Sequence, residues 1–177
     1  QFYSVGAAPT GATGGNLTGD YFAAGAQDNG TQYFGGVSAG LNGSTQSQGG
    51  DGAFTMFDQG ADKYYISNYV NNDNINLRFF GSGVVRNIIT EGAGNGAFIA
   101  PMALDFNQDV LYSDYTTPPP TIVYQIARYR NIKSGTVNKT ILTNALLTTA
   151  PTAFAVSPYT TTSTTLLVRT RLGKLLK

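Results

Sequence analysis

The stretch Gly49-Gly50-Asp51-Gly52-Ala53-Phe54-Thr55-Met56-Phe57-Asp58 opens the clearest repeat unit in the chain. Its glycine-rich lead-in runs into a short apolar strand and stops at a turn residue, Asp58. Tyr64-Tyr65-Ile66-Ser67-Asn68-Tyr69 then predicts a second strand, and Asn71-Asn72-Asp73-Asn74 a turn. Ile75-Asn76-Leu77-Arg78-Phe79-Phe80 predicts a third strand, and Val84-Val85-Arg86-Asn87-Ile88-Ile89 a fourth. Aromatic and β-branched runs between polar turn clusters are the mark of strands and tight connections. Four such strands in succession make an antiparallel meander.

Weaker versions of this unit fill the rest of the chain. Upstream, Gln1-Phe2-Tyr3-Ser4-Val5, Asp20-Tyr21-Phe22-Ala23-Ala24-Gly25 and Thr31-Gln32-Tyr33-Phe34 read as strands. Ala7 to Gly19 reads as a loop, and Gly35 to Gln48 as a polar segment with one irregular edge strand. Gln27-Asp28-Asn29-Gly30 is a hairpin turn, since Asn-Gly tolerates positive φ. Downstream, Gly94-Asn95-Gly96-Ala97-Phe98 repeats the pattern of Gly50 to Phe54. Strands are predicted at Ile99 to Leu104, Val110 to Ser113, Ile122 to Tyr129 and Thr140 to Thr143. Thr116-Thr117-Pro118-Pro119-Pro120 lies between two of them as a longer turn, because proline cannot donate to a ladder. The last unit reads Thr152 to Val156, Leu166 to Arg169 and Lys174 to Leu176.

The turns after the first strands fall at Pro9, Asp58, Asp105 and Ser157, a drifting period of about fifty residues with four strands per unit. The expected fold class is all-β, a β-propeller fragment of four-stranded antiparallel blades. The blades are drawn at 1–48, 49–91 and 92–148, with a partial blade at 149–177. A β-sandwich built from hairpins fits the same strand lengths. The repeat, and the lack of a core Trp or Cys pair, favour the propeller. Strand-like sequence at both ends predicts a piece of a longer protein, with the rest of the same propeller as its first partner.

Composition narrows the chemistry. Of 177 residues, 12% are charged and the net charge is +1, with no basic cluster to follow a phosphate backbone, which argues against nucleic acid. No apolar run approaches the ~18 residues of a membrane-spanning helix, so no transmembrane segment is expected. Cys and His are both absent, which removes disulfides, thiolate metal sites and the histidine of a Ser-His-Asp triad. A surface of Thr, Asn and Gly suits an extracellular or outer cell-surface protein.

Ala24-Gly25-Ala26-Gln27-Asp28-Asn29-Gly30-Thr31, followed by Gly49-Gly50-Asp51-Gly52, resembles the sortilin-like, BNR-type β-propeller proteins secreted by Bacteroidetes-type bacteria. In that group a strand ends in a Gln-Asp-Asn-Gly-Thr turn and a Gly-Gly-Asp-Gly loop opens the next blade. Phe98-Ile99-Ala100-Pro101-Met102-Ala103-Leu104-Asp105 and Val110-Leu111-Tyr112 are similar to their blade pattern. The Asp-box of sialidase-type propellers is missing, and the chain has no Trp. The resemblance implies a large secreted or surface protein, adhesin-like or part of a surface assembly. It also implies contact with type IX secretion machinery, and a surface glycan or protein as ligand. Xyloglucanase-type glycoside hydrolases share the blade style. That alternative needs two carboxylates across a cleft. The chain holds nine Asp and one Glu, none of which matches that family's catalytic pair.

The candidate ligand site is Gln27, Asp28, Asn29 and Asp51. Turns between second and third strands share a propeller face with the loops that lead into the next blade, which would bring these residues together. Asp28 and Asp51 are the expected metal ligands, and oxygen-only donors point to calcium. The competing reading is that Asp28 and Asn29 satisfy the turn while Asp51 caps backbone amides. Asp58 and Asp105 are expected to bond to nearby amides. Tyr64, Tyr65, Tyr69, Tyr112, Tyr115 and Tyr124 are of a type that stacks on sugars, but the favoured expectation is packing between blades with the hydroxyl at the rim, and Arg128 and Arg130 are expected on a solvated strand face. Asn16, Asn29, Asn42 and Asn138 begin Asn-x-Ser/Thr sequons, which mark exposed loops.

Overall fold

The computed structural model describes residues 1–9, 19–90 and 94–177. Its fifteen strands form four antiparallel meanders, the blades of a β-propeller. Blade 1 holds β1 (Phe2–Ala7), β2 (Asp20–Ala26), β3 (Gly30–Val37) and β4 (Thr45–Gln48). Blade 2 holds β5 (Gly52–Phe57), β6 (Tyr64–Tyr69), β7 (Asn74–Phe79) and β8 (Val85–Thr90), with a 3-10 turn at Val70–Asn72. Blade 3 holds β9 (Met102–Asp105), β10 (Val110–Asp114), β11 (Ile126–Arg130) and β12 (Asn138–Leu142). Blade 4 holds β13 (Pro151–Val156), β14 (Leu166–Thr170) and β15 (Leu175–Leu176). In each sheet the strands lie in chain order. The first strand of each blade packs on the first strand of the next, so β1, β5, β9 and β13 are innermost.

Alternation along the inner strands of blades 2 and 3 supplies two buried faces, because successive side chains point to opposite sides. In blade 2, Phe57 and Tyr65 turn toward Ala23, Tyr21 and Tyr33 of blade 1. Tyr64, Ile66, Ile75 and Leu77 turn the other way, onto Leu111, Ala127 and Tyr129 of blade 3. Blade 3 in turn packs Val110, Tyr112 and Ile126 against Phe154, Leu166 and Val168 of blade 4. Tyr64, Tyr65 and Tyr112 thus lie between blades and are buried.

Buried and part-buried polar bonds tie successive blades. Between blades 1 and 2, the Ser4 hydroxyl donates to the Ala53 carbonyl at 2.8 Å and accepts from the Thr55 amide at 2.9 Å. Thr55 Oγ1 donates to the Ala23 carbonyl at 2.8 Å. Between blades 2 and 3, Asn68 Nδ2 reaches the Ala100 carbonyl at 3.2 Å. Asn72 Nδ2 reaches Ser113 Oγ at 2.8 Å and the Asp114 carbonyl at 2.6 Å. Between blades 3 and 4, Asp105 accepts from the hydroxyls of Thr160 at 2.8 Å and Thr164 at 2.5 Å.

Two strands are shorter than their sequences predict. β9 starts at Met102 rather than Ile99. The Pro101 carbonyl accepts the Asp114 amide at 3.1 Å, but Pro101 has no N–H to return and the ladder stops. β11 starts at Ile126 rather than Ile122. There the Thr117 hydroxyl takes the Val123 amide at 2.8 Å, so the preceding residues close a loop instead of extending the strand.

Asp58 and Asp105 behave as turn residues. Asp58 accepts the Asp62 amide at 2.9 Å, and Asp105 the Gln108 amide at 3.2 Å. Asn29, Asn42 and Asn138 are exposed, while Asn16 lies outside the described residues.

Candidate binding face

The turn at Gln27–Asn29 is shaped by its own side chains. Asp28 takes a left-handed φ of 58° and Gly30 one of 67°, so Asp28 rather than Asn29 shares the turn with the glycine. Asp tolerates this region better than most residues because its short carboxylate bonds locally. Asn29 Nδ2 donates to the Gln27 carbonyl at 3.1 Å. The side-chain amides of Gln32 and Gln46 both donate to the Asn29 carbonyl, the latter at 3.0 Å.

This turn meets the lead-in to blade 2. The Asp28 amide donates to Asp51 Oδ1 at 2.8 Å, and the Gly30 amide to the Gly50 carbonyl at 2.5 Å. Gln27, Asp28 and Asn29 are exposed and Asp51 is half-buried. The four residues therefore share one face and span two blades. Asp51 acts as a cap on the turn with one oxygen. Among the described residues, no group of three or more acidic side chains is placed to hold a metal ion.

Three of the neighbouring glycines serve backbone packing. A Cβ at Gly25 would strike the Ala53 carbonyl, one at Gly30 the Gln48 carbonyl and one at Gly52 the Gly30 carbonyl. Gly25 and Gly52 let two sheets touch backbone to backbone, while Gly30 lets β3 meet β4 within blade 1.

The same juxtaposition recurs at the next junctions. Asn71, in the β6–β7 connection, donates its amide to the Phe98 carbonyl at 3.1 Å and its side chain to the Gly96 carbonyl at 3.4 Å. At the third junction, the connection from β10 to β11 is long and carries Pro118 and Pro119. It stands off from the lead-in at Thr149 and Ala150 and opens a cleft of about 590 Å³. Tyr124, Pro118, Thr116, Thr117, Asn71 and Arg171 line it. Behind it lies Asp114, fully buried. Its Oδ1 accepts the Thr116 amide at 2.9 Å and the Thr116 hydroxyl at 2.6 Å, and its Oδ2 accepts the Ala97 amide at 2.7 Å. Burial pushes the Asp114 carboxyl up, against these bonds.

Carboxylates on the opposite face serve structure. Lys133 of blade 3 pairs with Asp62 of blade 2 at 2.7 Å. Burial pushes the Asp58 and Asp109 carboxyls up, partly offset by backbone bonds and by the Lys133 charge.

Sequence reading missed the cleft at Tyr124 and the paired asparagines Asn68 and Asn72. A usable signal was present for the first. The connection after the second strand of the third unit is far longer than Gln27–Asn29 in the first, and extra loop length on a propeller face builds walls. The solvated face expected for Arg128 and Arg130 is also revised. Arg130 is exposed, but Arg128 is half-buried and its Nε is enclosed.

No family model matches the chain, and no curated protein matches it.

Proposed function

We propose that the chain is part of a non-catalytic, exported surface propeller that binds a glycan on the face built from turns and lead-in loops. The observation that carries this reading is the cleft beside Tyr124. An aromatic ring and proline faces offer stacking surface, and hydroxyl, amide and guanidinium groups surround them. That mixture matches the alternating apolar faces and hydroxyl rims of sugars, and an apolar cleft with a few convergent polar groups is the usual form of a ligand site. Asp114, the carboxylate behind the cleft, is fully buried and holds three bonds to Thr116 and Ala97. Its placement favours shaping the cleft over proton transfer to a substrate.

Export is supported by the motifs at Gln27–Thr31 and Gly49–Gly52 and by the low-charge surface. Type IX secretion machinery is the transport partner those motifs suggest. The coarser role, a surface protein that binds or assembles, rests on the fold and the motifs together. On the same face we place calcium, if bound, at Asp28 and Asp51. Asp51 Oδ2 and the Asp28 carboxylate would be its charged ligands, and Gln27, Asn29 and backbone oxygens would have to fill the rest of a six- to eight-oxygen shell.

A glycan array followed by a polysaccharide hydrolysis screen tests the reading. Saturable glycan binding that falls at least tenfold in Tyr124→Ala supports it. Turnover of a polysaccharide that disappears in Asp114→Asn would replace it with the hydrolase reading. Calcium titration of the parent protein, Asp28→Ala and Asp51→Ala tests the cation, and unchanged affinity in both variants rules it out.

A further inference from the structure

The chain carries three Asn-Gly pairs, Asn29-Gly30, Asn42-Gly43 and Asn95-Gly96. Such a pair can react with itself, because glycine has no Cβ to shield its nitrogen from the side chain before it. The attack needs a backbone nitrogen outside other hydrogen bonds and a backbone free to turn. The fold treats the three pairs differently.

Two pairs are locked in packed loops. The Gly30 amide donates to the Gly50 carbonyl at 2.5 Å, and Gly30 sits at a φ of 67° against the Gln48 backbone. The Gly96 amide donates to the Thr116 carbonyl at 2.7 Å, and Asn95 Nδ2 to the Tyr115 hydroxyl at 3.2 Å. Asn42-Gly43 lies in the connection from β3 to β4, where residues 38–44 are all exposed. Among the described residues the Gly43 amide donates to no acceptor, and a Cβ there would meet open space. The Asn42 carboxamide folds back on the preceding turn. Its Nδ2 donates to the Ser38 carbonyl at 2.7 Å and the Gly40 carbonyl at 3.0 Å, and its Oδ1 accepts the Ser38 amide at 3.4 Å. The Ser38 amide thus points at the oxygen on which charge develops when Cγ is attacked. Opening the two Nδ2 bonds is a local event in a solvated loop, where water replaces them. Freeing the Gly30 or Gly96 amide instead separates packed backbone.

We propose that Asn42-Gly43 is a self-modification site, at which the folded chain converts to an aspartyl or isoaspartyl linkage while the other two pairs are protected. The Gly43 nitrogen loses its proton, bonds to Asn42 Cγ and expels the side-chain nitrogen, which takes up a proton and leaves as ammonia. A succinimide ring results, and water opens it at either carbonyl. One water is consumed and one ammonia released, with no change of oxidation state. The product carries one more negative charge, which cancels the formal net charge of +1. The donor that closes the turn on Ser38 and Gly40 departs with the ammonia, so conversion releases the connection to the outer strand of blade 1. This segment shares no residue with the cleft at Tyr124, and the inference stands apart from the glycan reading.

The test incubates the full chain in neutral and mildly alkaline buffer, both native and in urea. Peptide mass spectrometry follows each pair, and an isoaspartyl methyltransferase assay gives a second readout. In the native chain Asn42 is expected to convert at least tenfold faster than Asn29 or Asn95, and faster in alkaline buffer because the Gly43 nitrogen must lose its proton. In urea the three rates are expected to converge. Gly43→Ala is expected to slow Asn42 at least tenfold without moving thermal unfolding. Equal native rates at the three pairs overturn the proposal, as does a Gly43→Ala chain that converts Asn42 as fast as the parent. A native chain whose Asn42 keeps its amide while urea releases it shows that Ser38 and Gly40 clamp the side chain, and that also overturns it.

Discussion

Tyr33 of blade 1 lies ring to ring on Tyr65 of blade 2, with centroids 5.1 Å apart and planes 6° from parallel. Phe57 stacks on the same Tyr65 ring at 5.3 Å, and Phe80 contacts Tyr21 at 5.1 Å. Burial, followed by the nearby Tyr21 and Tyr65 hydroxyls, pushes the Tyr33 hydroxyl up. The first junction is therefore glued by aromatic faces. Tyr65→Leu keeps the apolar burial but removes the ring contacts, and is expected to lower stability by about 1 kcal/mol. Tyr65→Ala also leaves a cavity and is expected to cost about 3–5 kcal/mol. Urea unfolding of the two variants against the parent measures both steps.

Gly25→Ala is expected to destabilise the chain by about 3 kcal/mol or more, a magnitude reserved for changes that force packed backbone apart. The added methyl meets the Ala53 carbonyl of the adjacent sheet, which is backbone and cannot swing away. Gly49→Ala is the matched control, since a methyl there has open space around it. Equal unfolding midpoints for the two variants would contradict the close sheet contact.

Asp105→Ala removes an acceptor that holds Thr160 and Thr164 of the next blade. Bonds to a charged group contribute about 1.5–3 kcal/mol, and Asp105→Ala is expected to cost that much. Adding Thr164→Ala to Asp105→Ala is expected to cost less than the sum of the single changes, because both remove the same bond. Denaturation of the four proteins in the cycle gives the coupling, and strict additivity would show that the Thr164 bond adds nothing.

The pH dependence follows from three carboxyls, Asp58 and Asp114 buried and Asp109 half-buried. Asp58, Asp109 and Asp114 are all pushed up, chiefly by burial. The folded chain thus holds protons more tightly than the unfolded one in the range above the ordinary carboxylate value of about 3.9. In that window stability falls as pH rises through the folded values, and recovers as pH is lowered toward the unfolded value. The urea midpoint is expected to be higher in weak acid than at neutral pH. Asp114→Asn should flatten that slope, whatever its effect on the absolute midpoint. A midpoint that drops on entering the same window would show that other titrations dominate.

What was legible in the sequence was local. β6 coincides with Tyr64–Tyr69 because an aromatic, β-branched run there is fenced by turn residues on both sides. The meeting of Asp28 with the Asp51 loop followed from topology, since a turn and the next lead-in share a propeller face. Asn68 and Asn72 were illegible for the opposite reason. Their partners Ala100 and Ser113 lie 32 and 41 residues away. Asn72 also takes a φ of 52° that its turn-like surroundings conceal. β9 and β11 were read too long because apolar residues continue past the point where Pro101 and Thr117 redirect the backbone bonds. The cleft at Tyr124 depends on how two loops stand apart, a quantity that no single segment encodes.

The buried ties between blades are not copies of one another. Ser4 and Thr55 fasten the first junction, Asn68 and Asn72 the second, and Asp105 with Thr160 and Thr164 the third. A chain assembled from near-repeats runs the hazard of shuffling, in which one blade docks where another belongs or trades places with its counterpart on a second molecule. Apolar faces alone would tolerate such errors. Unlike polar locks do not, because a blade in the wrong slot would bury a serine, an asparagine or an aspartate opposite no acceptor or donor. The native blade order is thereby favoured over shuffled ones, and a graft that exchanges blades 2 and 3 would have to carry its locks with it.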